Sequence, residues 1–170
     1  MNGHRTFAAS SVGIGLLGLL GLLACDPVQS DEIAALGGEA PGVPEGPLHR
    51  PGQPCVLCHD GAGGDPSAFS VAGTVFETPS TSAGASGVTV AMTDSTGSTH
   101  SATTNAAGNF YVTPSEWTPT YPITTTTLES GRVSTPMYGE IGRNGSCAGC
   151  HSYPAAAGAG SPGRVSLVPP

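Results

Sequence analysis

The stretch Val88-Thr89-Val90-Ala91-Met92-Thr93-Asp94-Ser95-Thr96-Gly97-Ser98-Thr99-His100 decides the fold. Val88, Val90 and Met92 alternate with Thr89, Ala91 and Thr93, which is the period of a strand buried on one face. Asp94-Ser95-Thr96-Gly97 then makes a hairpin-length turn into a second strand from Thr99 to Asn105. Upstream, Phe69 to Phe76 has the same texture. Downstream, the turn Ala106-Ala107-Gly108-Asn109 leads to Phe110-Tyr111-Val112, followed by Tyr121 to Leu128 and Arg132 to Met137. The four threonines at 124–127 suit a strand exposed on one face. Six short strands with Gly and Pro between them give a mainly β expectation: a small antiparallel, Greek-key-like β-sandwich over residues 67–137, flanked by loop-rich segments. An even strand count returns the chain to the end where it entered, so the two flanks are expected at one end of the sandwich.

Composition agrees with that class. Of 170 residues, 26 are Gly, 16 are Pro and 36 are Ser or Thr, a mixture that disfavours a helical bundle. Five Lys plus Arg, none of them Lys, stand against twelve Asp plus Glu for a net charge of −7, which argues against a nucleic-acid partner. No serine-histidine-aspartate grouping, phosphate loop or spaced carboxylate pair points to an enzyme of hydrolysis or phosphoryl transfer.

The N-terminus runs from Arg5 through an apolar, glycine-interrupted stretch, Phe7 to Ala24, to Cys25. The run is short for a membrane span and stops at a small residue before cysteine, as a secretory leader does. Leu22-Leu23-Ala24-Cys25 resembles the lipobox of bacterial lipoproteins. That resemblance implies a leader over 1–24, a lipid on Cys25 and a mature chain held on a membrane facing the periplasm or cell surface. Residues 25–48 are rich in Pro, Gly, Ala and acid without apolar periodicity, and read as a flexible tether.

The other four cysteines fall in Cys55-Val56-Leu57-Cys58-His59 and Cys147-Ala148-Gly149-Cys150-His151. In Cys-x-x-Cys-His, two thiols can add across the two vinyl groups of one haem while the next residue offers imidazole to the iron. With five histidines in 170 residues, a His directly after both pairs has a chance of roughly one in a thousand. Paired zinc knuckles and two disulfides are the competing readings, and zinc would require the pairs to meet across the intervening sandwich. The haem reading makes residues 49–66 the expected first haem-binding segment and 138–170 the second with the C-terminal tail, with Cys55, Cys58, Cys147 and Cys150 as expected attachment points and His59 and His151 as expected proximal iron ligands.

Both motifs resemble those of c-type cytochromes. The resemblance implies two covalent haems c, iron chemistry and redox partner proteins. The order Gly73-Thr74-Val75, Gly87-Val88-Thr89-Val90, Thr103-Thr104-Asn105 and Gly108-Asn109-Phe110 resembles the carboxypeptidase-regulatory-like or transthyretin-like sandwich, a scaffold or interaction module. For the far side of each iron the mature chain offers His49, Met137 and His100. Met92 continues the Val88 and Val90 face and reads as core. Arg50, Arg143 and Arg164 lie near the motifs and are candidate partners for haem propionates. The expected function is an exported, lipid-anchored, di-haem electron carrier. Alternatives are a sandwich binding module with structural Cys sites, and a haem sensor or peroxidase with an open iron site.

Overall fold

The computed structural model describes residues 27–39, 41–61, 67–131, 133–152 and 160–168. The expected leader over 1–24 and Cys25 lie outside them, as does Arg132. Among the described residues no helix is long and apolar enough to cross a membrane.

All six expected strands are present, as β1 (Val71–Thr74), β2 (Thr89–Asp94), β3 (Thr99–Thr103), β4 (Asn109–Val112), β5 (Ile123–Ser130) and β6 (Val133–Met137). They form two sheets, ordered β3-β2-β5-β6 and β4-β1-β7, where β7 is the short strand Gly145–Ser146. The hairpin at the centre has the expected register, Met92 opposite His100 and Thr93 opposite Thr99. Val90 and Met92 are buried as the alternation requires, and they join Val71, Val75, Val112 and Ile123 from both sheets in one hydrophobic core. Full burial of each such side chain contributes about 1.5–3 kcal/mol. In the threonine run, Thr126, opposite Met92, is buried on the inward face with Leu128, and Thr127 between them is only half-buried, as a strand with one covered face requires.

Two departures bear on the flanks. Sequence gave six antiparallel strands, but β7 adds a seventh and pairs parallel to β1, Val71 with Gly145 and Ala72 with Ser146. Two residues of strand surrounded by Gly and Asn carry no alternation that a sequence pattern detects. The second departure is in the tether. Pro27–Ala35 is helix α1, and the Gln29 amide donates to the Leu57 carbonyl at 2.8 Å and to Asp60 Oδ2 at 2.7 Å. Its apolar residues are too sparse for a helical stripe, and the contacts that hold it are made with the first Cys-x-x-Cys-His segment.

Asp94 closes the hairpin in a way its sequence position only partly suggests. Its carboxylate is buried and accepts hydrogen bonds from the Thr96, Ser98 and Thr120 backbone N–H groups and the Thr96 hydroxyl, while Gly97 takes the left-handed conformation the turn needs. The Thr120 backbone bond, then that of the Thr96 hydroxyl, holds the carboxyl well below its ordinary 3.8, at about 2. The folded value lies below the unfolded one, so the charged group stabilises the sandwich above pH 3.8 and that contribution is lost as pH falls towards about 2. In urea titrations the wild-type midpoint should drop across this window, and Asp94→Asn should start lower and fall less; parallel profiles would show that Asp94 is not a pH-dependent tie.

Candidate functional site

The site is built on β1, which is buried along its whole length. Val71 and Val75 belong to the core, and Thr74 on the opposite face accepts from the Gly52 N–H at 2.7 Å and donates to Asn109 Oδ1 at 2.7 Å. The segment before the first motif is thereby laid against β1. The first motif then forms helix α2, Cys55–Cys58, and the second forms a 3-10 turn, Cys147–Gly149, directly after β7. Both pack against β1. The two motifs, separated by a sandwich in sequence, are neighbours in space because β7 returns beside the strand that follows the first.

Their local structures match. The His59 N–H donates to the Cys55 carbonyl at 3.0 Å, and the His151 N–H to the Cys147 carbonyl at 2.9 Å. Each imidazole is then fixed from behind: Nδ1 of His59 lies 2.9 Å from the Ser67 carbonyl, and Nδ1 of His151 lies 2.9 Å from the Gly163 carbonyl. A carbonyl only accepts, so both Nδ1 atoms carry the proton and Nε2 is the ring atom with a lone pair for a metal. In the second segment, the Ser161 hydroxyl accepts from the Ser152 and Gly163 N–H groups and so clasps the loop that presents the Gly163 carbonyl.

A cavity of about 510 Å³ opens beside the first motif, lined by Cys55, Cys58, His59 and His49 with Ile33, Leu36 and Phe69 among its apolar walls. Its size falls within the ~300–1,000 Å³ range of small-molecule and cofactor pockets. His59 is 8% exposed; its ring stacks on Phe69 at 4.3 Å, and Phe69 stacks on Tyr111 at 4.7 Å. The attachment residues, the imidazole and the apolar wall required by a porphyrin therefore converge here, and these residues fit a covalently held haem.

Cys147 sits where Gly73 has no side chain: a Cβ on Gly73 would come within 2.7 Å of Cys147 Cβ and 2.8 Å of its Sγ. Desolvation pushes the Cys147 thiol up to about 12, with the Cys55 and Cys150 thiols adding to the rise. Burial likewise pushes Cys55 up to about 11. Cys58 is half-buried and Cys150 exposed. All four are free thiols, and among the described residues no three His, Cys, Asp or Glu side chains gather as a metal-ion cluster. The first cysteines of the two pairs lie near enough for the Cys55 thiol to act on Cys147.

Of the residues considered for the far side of an iron, His49 alone lines this cavity. His100 lies in β3 and stacks on Trp117 at 5.7 Å, and Met137 ends β6 opposite Thr126 in the other sheet. Of the three arginines near the motifs, Arg50 lines this cavity. Arg50 bonds Glu39, Gln53 and the Gly37 carbonyl, Arg164 lies over the Phe76 ring and bonds the Thr81 carbonyl, and Arg143 is exposed. Gly73, Glu39 and the two carbonyl acceptors were not singled out by sequence reading. A glycine inside an otherwise apolar strand was the available signal for Gly73, since it marks close approach by another chain segment. The carbonyls, being backbone, carry no signal of residue type.

No protein-family model, curated protein or solved structure matches the chain.

Gly73→Ala should expel Cys147 from its seat and cost about 1–3 kcal/mol of stability through overpacking. In protein carrying free thiols, alkylation of Cys147 at mildly alkaline pH should accelerate several-fold, with exposed Cys150 as the internal control. An unchanged Cys147 rate would show that the strand does not hold it.

Proposed function

We propose that this chain is an exported, lipid-anchored di-haem c-type cytochrome that carries single electrons between redox partner proteins rather than catalysing a reaction of its own. The observation that carries the reading is the twin geometry of the motifs. Two Cys-x-x-Cys-His segments 92 positions apart, Cys55 to Cys147, fold into the same backbone-bonded turn, and each holds its histidine by Nδ1 to a carbonyl further along the chain. A zinc held by the four cysteines alone, or a pair of disulfides, gives no role to the histidine after each pair.

The residues divide the work. Cys55 and Cys58, and Cys147 and Cys150, supply thioether sulfurs, and His59 and His151 supply Nε2 to iron. The Ser67 and Gly163 carbonyls fix the tautomer and increase the basicity of each imidazole. Ile33, Leu36 and Phe69 exclude water from the first site, which favours the less charged iron state. When bound, haem supplies a one-electron iron couple. β1 keeps the two sites adjacent, so an electron accepted at one has a short way to the other. The net charge of −7 suits a partner with a basic docking face. Anchoring through Cys25 rests on the lipobox resemblance.

A peroxidase-active haem stain after denaturing electrophoresis tests the reading, because covalent haem survives denaturation. Wild type should stain and give two haems per chain by pyridine haemochrome. Cys55→Ser/Cys58→Ser and Cys147→Ser/Cys150→Ser should each retain one, and the fourfold variant none. A wild-type chain that contains zinc and does not stain would refute it.

A further inference from the structure

Resting on the reading of Cys55 to His59 as a haem-attachment motif, we infer that His49 is the second axial ligand at that site and that Glu39 is the residue that positions it. The two imidazoles line one cavity, with ring centroids 6.0 Å apart and planes at 66°. Two metal–nitrogen bonds of about 2 Å, plus about 1 Å from each ligating nitrogen to its ring centre, add to about 6 Å. Axial imidazoles can adopt any mutual twist about the axis through the metal, so 66° is compatible with opposed ligation. Neither His100 nor Met137 lines the cavity.

The chain around His49 is fixed on both sides. The Asn109 amide in β4 donates to the His49 carbonyl at 2.9 Å and also reaches the Pro47 carbonyl at 3.3 Å, which anchors the loop to the sheet. On the ring, Nδ1 lies 3.2 Å from Glu39 Oε1. An ionised carboxylate only accepts, so the proton is on Nδ1 and Nε2 is left as the coordinating atom, the same tautomer as in His59. Glu39 is itself held by the Arg50 Nε–H at 2.6 Å, and Arg50 is braced by Gln53 at 2.9 Å and the Gly37 carbonyl at 2.9 Å.

A carboxylate behind a ligating histidine raises its basicity and favours the more highly charged metal state. Glu39 thus acts through His49 to lower the reduction potential of the first haem. Arg50, which lines the same cavity, orders the carboxylate that orders the ligand.

The test uses haem-loaded full-length protein, with haem count from intact mass. A wild-type chain without haem refutes the di-haem reading itself. With haem present, His49→Ala should convert one of the two ferric haems from low to high spin by electron paramagnetic resonance, and the reduced form should gain carbon monoxide binding. Free imidazole should restore the low-spin signal. In the Cys147→Ser/Cys150→Ser background the single remaining haem should make the same change. His49→Met keeps a coordinating side chain and should remain low-spin with a methionine–iron charge-transfer band. Glu39→Gln should stay low-spin with a raised potential at one haem only. Unaltered ferric signals in His49→Ala would overturn the ligand assignment, with the haem count intact. If His49→Ala binds only one haem, a high-spin first site in His49→Met overturns it and a low-spin one supports it. An unshifted potential in Glu39→Gln would overturn the role of Glu39.

Discussion

The close approach of Cys147 to Gly73 is the constraint on which the arrangement depends. Strand β1 contributes Val71 to the core, but at Gly73 it leaves the space of a side chain, and the second motif's first thiol occupies it. Because β7 pairs parallel to β1 immediately before Cys147, the chain enters this space at a set register. The first motif meets the same strand through Gly52 and Thr74. A single strand therefore fixes both Cys-x-x-Cys-His segments, and it does so largely through backbone and the absence of a side chain. Interhaem distance in the proposed cytochrome is consequently a property of the sandwich rather than of the loops.

Much of the fold was legible because strands announce themselves by alternation. Val88, Val90 and Met92 predicted both the strand and the face it buries, and Asp94 to Gly97 predicted the turn. What escaped detection has a physical reason in each case. Strand β7 is two residues long, and its partner is chosen by tertiary packing. Helix α1 has no apolar stripe, and it is held by Gln29 bonding the first motif, a contact that cannot be inferred from local pattern. The mainly β expectation did not depend on either element. Strand parity suggested motifs at one end through an even count. They are indeed neighbours, through a seventh strand and a parallel pairing.

The chemistry-bearing residues were legible by type and spacing, but their orientation was not. Cys55, Cys58, His59 and the second set stand out because cysteine is rare in this lean chain and histidine follows both pairs. The carbonyls that fix His59 and His151 come from Ser67 and Gly163, and a backbone acceptor leaves no mark of its own in the sequence. Selection among His49, His100 and Met137 likewise depended on which strand or loop carried each of them to the cavity. His49 reaches it because Asn109 ties its loop to β4; Met137 and His100 belong to the opposite sheet. The aromatic series His59, Phe69 and exposed Tyr111 runs from the first site to the surface, and none of the three was marked as a group by sequence spacing.

Five cysteines in a chain short of apolar residues first suggest a disulfide framework with one thiol over. Their proposed division is one for lipid and two for each haem, which leaves none spare and assigns to the porphyrins apolar contact area that Gly, Pro and Thr cannot supply. Intact mass of the protein extracted from membranes tests this division most directly, since it counts acyl chains and haems together. The account predicts a chain beginning at Cys25 with lipid on that residue and two haem masses. An unlipidated, haem-free mass, or a mass reduced only by the hydrogens of two disulfides, would contradict it.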